Sequence, residues 1–144
     1  MDVSQLRQRI LHALDAARKD ATFRRTETDQ AAAAYEKFLE SVVVPLLKQA
    51  ESVLRAEHQV FTVHAPAGSA RLVNDAAQQT FVELSLDTSG AQPQVLGRVS
   101  LTRGRQGVVV EERAIAPGTP IASLTDVEVA EFLVTAIPRL VVKS

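Results

Sequence analysis

The residues best suited to chemistry in this chain are arginines, four of which lie between residues 98 and 113. A guanidinium group can bind a carboxylate or a phosphate through two parallel hydrogen bonds, so a group of exposed arginines can hold an anion. Glu111 and Glu112 lie nearby in the sequence and could neutralise these arginines through pairs between strands. Two interpretations stay open: a self-paired hairpin, which the sequence favours, and a contact site for an anionic ligand or partner. The candidate site residues are Arg71, Arg98, Arg103, Arg105 and Arg113.

The three histidines do not have the spacing of a metal site. His12 stands alone in an early helical pattern, and His58 and His64 lie six positions apart in a predicted strand. Six strand positions span ~20 Å, so these two side chains cannot bind one metal ion directly. The chain has no cysteine, which excludes thiolate metal sites, iron–sulfur clusters and disulfides. We therefore expect no metal and no cofactor.

The acidic residues of the predicted strands are no better placed for catalysis. Glu111 and Glu112 point to opposite faces of one strand, and Glu83 and Asp87 share a face but lie ~13 Å apart, which indicates a solvated sheet face. The chain lacks a GxSxG nucleophile motif, and the segment Gly-Arg-Gln-Gly at 104–107 lacks the lysine and the following helix of a phosphate-binding loop. The sequence thus predicts a protein that is not an enzyme.

The balance of charge indicates which partners to expect. Lys and Arg number 16 against 17 Asp and Glu, and the charges also cancel locally, with nine of each sign in residues 1–57 and five of each in residues 58–115. A protein that binds nucleic acid through its phosphates carries a basic excess in one segment, so the sequence argues against nucleic acid as a partner. No apolar run approaches the ~20 residues of a membrane span, and the first residues do not resemble a signal peptide. We expect no membrane contact and a cytoplasmic location.

The first third of the chain carries apolar residues at helical spacing. The stripe consists of Leu6, Ile10, Ala13, Leu14, Ala17 and Ala21. It loses its phase near residues 23–26, after which Thr28 or Asp29 could cap a second helix. A single long helix also fits, because this stretch contains neither Gly nor Pro. Whether residues 1–57 form one, two or three helices stays open.

A wide apolar face between residues 35 and 54 predicts a helix that is buried against a sheet or other helices. Pro45 lies inside this pattern. Proline has no N–H to donate and its ring crowds the preceding turn, which costs ~3 kcal/mol in a helix interior. We expect a kink at Pro45, or two short helices that meet there. The pattern favours a bend that wraps the helix over the sheet, and the alternative is a hinge or a bend that binds a partner.

After residue 57 the apolar residues alternate at every second position, the period of a strand with one buried face. Turn residues, among them Pro66, Gly68, Gly90 and Pro93, separate the alternating stretches. Strands spaced this closely are joined by hairpins, so we expect one antiparallel meander sheet in chain order. The predicted strands cover residues 58–65, 70–73, 80–87, 95–103 and 107–115.

The start of the last helix has the clearest local signal in the chain. Thr125 and Glu128 have the spacing of a capping box, in which each residue satisfies an amide that the helix leaves without a partner. We expect a helix over residues 125–142, with Pro138 kinking or ending it near Ile137.

Together these elements predict an α+β fold with N-terminal helices, a five-stranded antiparallel meander sheet and a C-terminal helix. One face of such a sheet needs a cover, and the flanking helices can provide it, which gives a two-layer sandwich. At 144 residues, of which 46% are hydrophobic, the chain 1–144 is expected to be a single domain, helical over 1–57 and a sheet over 58–115.

The balanced charge, the wide apolar helical segment and the lack of a catalytic motif favour a non-catalytic interaction or assembly module. Such a module binds a protein partner or itself, as a homo-oligomer. The alternative is a protein that binds a small molecule or an anionic ligand near the arginine-rich hairpin, or an enzyme whose site the sequence does not reveal.

Overall fold

The alternating and helical patterns fold into a five-stranded sheet and three helices. The computed structural model describes residues 1–141, except for the side chain of Gln106. The helices are α1 (Val3–Phe38), α2 (Val44–Ala56) and α3 (Asp126–Leu140). The strands are β1 (Phe61–His64), β2 (Ser69–Asn74), β3 (Phe81–Asp87), β4 (Gln94–Thr102) and β5 (Val108–Ala114). A π-helical turn at Leu39–Val43 joins α1 to α2, and 3-10 turns lie at Gly104–Gln106 and Ile121–Ser123.

A single helix of 36 residues, α1, spans the segment for which the sequence allowed two helices. It begins after Asp2, which forms a capping box with the first turn. The hydroxyls of Thr22 and Thr26 donate to carbonyls four residues earlier, a bond that is compatible with a helix interior. Because the stretch contains neither Gly nor Pro, nothing local ends the helix. The alternative of a second helix capped by Thr28 or Asp29 is wrong.

The backbone hydrogen bonds change just before Pro45. In the π-helical turn the Val44 amide donates to the Leu39 carbonyl, which lies one residue further back than in an α-helix. Pro45 then lies in the first turn of α2, where proline is tolerated because the amides there have no partner within the helix. The π-turn is thus the place where α1 and α2 meet, and a kink at Pro45 stays a prediction.

The five strands form one antiparallel sheet in the order β1-β2-β3-β4-β5, which confirms the predicted meander. The first strand is shorter than predicted, because the amides of His58 and Gln59 bond back to carbonyls in the last turn of α2. His58 has a left-handed φ of 64°, and β1 begins only at Phe61. The expectation that His58 and His64 share a strand is therefore wrong.

Helices cover one face of the sheet, and none of the described elements covers the other. Leu72 of β2 and Leu84 of β3 are fully buried in the same core as Leu47 of α2 and Phe132 of α3. Phe132 approaches the sheet over Gly97, where an added Cβ would lie 2.7 Å from the ring. The result is the two-layer α+β sandwich that the sequence predicts.

The capping box predicted at the start of α3 is confirmed. Thr125 accepts a bond from an amide in the first turn, and the Glu128 carboxylate accepts the Thr125 amide at 2.9 Å. The hydrogen bonds from Thr125 lower the pKa of Glu128. The first turn is thus held by contacts between residues two and three positions apart, which the sequence indicates.

The end of α3 contradicts one of the two alternatives predicted for Pro138, and the other, a kink, stays a prediction. The helix continues through Pro138 to Leu140, so Pro138 does not end it near Ile137. The buried Asn74 of β2 donates its side-chain amide to the Leu140 carbonyl at 3.1 Å and so satisfies one of the last free acceptors of the helix. Val141 is extended, and residue 142, the predicted end, lies outside the described residues.

Candidate interaction surfaces

The first part of α1 projects from the rest of the domain. Every residue from Met1 to Glu27 is exposed, Thr28 is the first residue that is partly buried, and Ala31 is the first that packs against the core. We call residues 3–27 the free segment; it is ~38 Å long at 1.5 Å per residue. The apolar stripe found in the sequence lies on this segment, and the exposed fractions of its largest side chains are 49% for Leu6, 49% for Ile10 and 45% for Leu14.

The exposed stripe lies on the same side of α1 as the residues that pack on the domain. A helix turns ~100° per residue, which puts Ile10 and Ala17 within ~20° of Tyr35 around the axis. Tyr35 is buried, and its hydroxyl donates to the Gly68 carbonyl at 2.8 Å. Burial, together with the smaller effect of the negative charge on Glu83, raises the pKa of Tyr35 to about 12. One apolar side of α1 is thus covered near the domain and uncovered beyond it.

Charge divides the first 57 residues into two parts of opposite sign. Residues 1–25 hold six basic and three acidic side chains, a net charge of +3, and residues 26–57 hold three basic and six acidic ones, a net charge of −3. The balance over 1–57 seen in the sequence therefore hides an asymmetry along the helix. The free segment is basic, and the region where the helices join the sheet is acidic.

A groove lies where α1 joins the domain, beside the turn that links β1 to β2. Its volume is about 460 Å³. Leu39, Pro66 and Leu86 provide apolar lining, and Glu36 and Glu40 stand on its helical side. We call this the foot groove; it combines an apolar floor with negative charge. No local sequence pattern indicated it, because its walls come from α1, the π-turn and two strands.

The uncovered face of the sheet carries a row of alternating charges. The strand register places Arg71 opposite Glu83, Glu83 opposite Arg98, and Arg98 opposite Glu112. The closest N–O distances are 2.6 Å from Arg71 to Glu83 and 2.6 Å from Arg98 to Glu112, with Arg98 also 3.6 Å from Glu83. The Glu83 side chain is 9% exposed, whereas the sequence indicated a solvated face. Two of the candidate arginines are thus paired with carboxylates.

Arg113 lies on the other face of the sheet, because residues alternate along β5. Its guanidinium carbon is 5.4 Å from the centroid of the Phe132 ring. It lines a cleft of about 220 Å³ between β5 and α3. In the same cleft Arg139 donates to both carboxylate oxygens of Glu111, at 2.7 and 2.9 Å, and this bonding lowers the pKa of Glu111 and raises that of Arg139. The cleft therefore presents the Arg113 guanidinium beside an ion pair.

Arg103 and Arg105 are exposed in the turn between β4 and β5. The five candidate arginines therefore lie on two faces and one turn, and they do not converge on a single site. If the strands β4 and β5 are paired symmetrically about Arg105, Arg98 lies opposite Glu112, so the sequence alone could have predicted this pair. The side on which Arg113 lies follows from the same register.

The described residues can also be searched for metal-binding groups and for membrane-spanning helices. Across residues 1–141 no group of three or more His, Cys, Asp or Glu side chains is arranged to hold a metal ion. None of the described helices combines the length and the apolar character needed to cross a bilayer. In comparisons with known proteins, no family model, no curated protein and no solved structure matches this chain. What the structure defines is an α+β sandwich with a projecting basic helix.

Proposed function

We propose that the protein is a non-catalytic interaction module that assembles with a protein partner through the free segment of α1. The observation that carries this proposal is the apolar stripe on a helix segment that nothing in the described chain covers. A helix in water owes most of its stability to the packing of its apolar face. A partner that covers the stripe supplies this packing.

The stripe offers a useful amount of binding free energy. Full burial of a Leu or Ile side chain stabilises by about 1.5–3 kcal/mol. Leu6, Ile10 and Leu14 are already about half covered by their own helix, so a partner gains about 1 kcal/mol at each of them. Replacing two of the three with polar residues therefore removes about 2 kcal/mol, which is about thirtyfold in affinity.

The test compares a stripe variant, Leu6→Gln with Ile10→Gln, with the control Phe23→Gln. Glutamine keeps a helix propensity close to that of leucine. Phe23 is 61% exposed, but it lies ~140° from Ile10 around the helix axis, away from the stripe. Each full chain is tagged and used to capture partners from the cells that produce the protein, with quantification by mass spectrometry.

The wild type and Phe23→Gln are expected to retain the same partner, whether another protein or an untagged copy of this chain, and the stripe variant is expected to lose it. Equal recovery by all three proteins, or the lack of any partner that depends on the stripe, contradicts the proposal. Circular dichroism of the three proteins checks that helix content is unchanged.

A second candidate function is the binding of a small anion in the cleft between β5 and α3. The position of Arg113 in this cleft, with its guanidinium carbon 5.4 Å from the centroid of the Phe132 ring, favours it. Inorganic phosphate and citrate serve as probes in a thermal-shift measurement. A rise in Tm that Arg113→Gln abolishes and Arg105→Gln retains supports this function, and no rise in the wild type contradicts it.

A further inference from the structure

We propose that the partner of the free segment is a second copy of this chain, whose α1 lies antiparallel to the first. This inference rests on the proposed function, because it names the occupant of the same stripe. Each free segment runs toward the foot groove of the other protomer. The two stripes form the centre of the interface, and each groove receives the first turns of the opposite helix.

The sign of the charges selects the antiparallel arrangement. Residues 1–25 carry a net charge of +3 and residues 26–57 a net charge of −3. A parallel pair places like charges side by side, whereas an antiparallel pair places each basic part beside the acidic part of the other copy. Glu36 on the foot groove is the acidic group that the approaching Arg7 meets, within one helical turn of it along the axis.

The length of α1 fits this arrangement. With a two-fold axis near residue 20, Ser4 of one helix lies at about the level of Glu36 of the other. Because the domain covers the stripe side of α1 at that level, the two helices cross at about 20° and the first turns of each pass along the flank of Glu36, where the foot groove opens. Ala17 and Ala21 then lie next to the axis, where small side chains let two helices approach closely. Because the axis makes both halves of the interface identical, each favourable contact occurs twice.

The area of contact predicts a reversible dimer. The uncovered parts of the two stripes overlap over residues 13–27, about 22 Å, and a strip about 10 Å wide covers about 220 Å² on each protomer. A stable interface covers about 800 Å² per partner, so the stripes alone supply about a quarter, and the first turns of each helix in the foot groove of the other must supply the rest. We expect a Kd in the micromolar range that rises with salt, because attraction between opposite charges contributes.

Sedimentation velocity of the full chain from micromolar to millimolar concentration tests self-association. The stripe variant Leu6→Gln with Ile10→Gln is expected to raise Kd by about a hundredfold or more, because each substitution occurs twice in the dimer. Phe23→Gln, which lies off the stripe, is expected to leave Kd within about threefold of the wild type. A strict monomer throughout this range, or a dimer that the stripe variant does not weaken, overturns the inference.

Spin labels on single cysteines test the orientation, and the natural chain has no cysteine to interfere. In the antiparallel dimer two Gln8→Cys labels lie about 35–40 Å apart, and two Thr22→Cys labels lie about 10–15 Å apart. A parallel dimer gives short distances at both positions. Short distances at both positions, or a dimer that tightens as salt is added, overturns the inference.

The two proposals fail in different ways. If the chain is monomeric but the capture experiment finds another protein that depends on the stripe, the second copy is excluded and the interaction function stands. If the wild type neither self-associates nor retains any stripe-dependent partner, both proposals fall.

Discussion

Replacing Gly97 with alanine tests whether α3 is seated on the sheet as the structure describes. An added Cβ lies 2.7 Å from two carbons of the Phe132 ring and 2.9 Å from Cδ1 of Ile115, closer than real Cβ contacts allow. Phe132 is 2% exposed, so its ring has neighbours on nearly all sides. Either the ring or the strand must therefore move to admit the methyl group.

The size of the effect follows from one cost and two effects that reduce it. Overpacking of a core costs about 1–3 kcal/mol. Alanine gains about 0.5–1 kcal/mol over glycine in a strand, and the cleft of about 220 Å³ that both Gly97 and Phe132 line gives the ring some room. Backbone strain does not add to the cost, because Gly97 is not in the left-handed region. We expect a net loss of about 1–2 kcal/mol in the free energy of unfolding.

Urea unfolding followed by circular dichroism measures this loss. The matched control is Gly90→Ala, where the nearest atom lies 3.9 Å from the added Cβ, and it should change stability by less than about 0.5 kcal/mol. Adding Phe132→Leu to Gly97→Ala should give a protein more stable than the sum of the two single changes, because the smaller side chain relieves the overlap. Equal stability of Gly97→Ala and Gly90→Ala refutes the close seating of Phe132.

Two further predictions concern charged groups. The pKa of Tyr35, the only tyrosine, is raised from 10.0 to about 12, so the folded state favours the neutral phenol. The resulting stabilisation is complete below pH 10 and is lost as the pH rises through 12. The free energy of unfolding measured across this range should fall in the wild type by an amount that Tyr35→Phe lacks, and parallel curves for the two proteins would contradict this prediction. Glu83→Gln leaves Arg71 without its carboxylate and should lower the free energy of unfolding in urea by about 1–3 kcal/mol. The control is Glu112→Gln, at a side chain that is 43% exposed, and it should lower the free energy of unfolding by less than about 1 kcal/mol. Equal losses would show that the burial of Glu83 does not matter.

The strands, their order and the start of α3 could be predicted because their signals are local. A period of two and the Thr125–Glu128 box depend only on residues near one another in the chain. The number of N-terminal helices stayed open because the local signal there is ambiguous: threonine and aspartate occur at helix caps and also within helices, where threonine can donate to a carbonyl four residues earlier. The end of α3 could not be read locally, because the Leu140 carbonyl is satisfied by Asn74, 66 residues earlier.

The candidate arginines show how proximity in the sequence differs from proximity in the fold. Arg98 and Arg113 lie near each other along the chain, yet alternation along two paired strands sends them to opposite faces of the sheet. Glu83 was assigned to a solvated face because the sequence does not show that Arg71 and Arg98 would flank it from neighbouring strands. Contacts across a sheet depend on register, which involves residues that are distant in sequence.

The sequence by itself determined that α1 has an apolar side, because the spacing of Leu6 and Ile10 sets the period of that side. Only the tertiary structure decided which part of that side is covered, since a stripe has the same period whether it is buried or not. The reason is one of length. A helix of 36 residues measures about 54 Å, whereas the longest strand of the sheet has nine residues and measures about 30 Å. A domain of this size packs against the last turns of α1 and leaves the residues before Thr28 exposed.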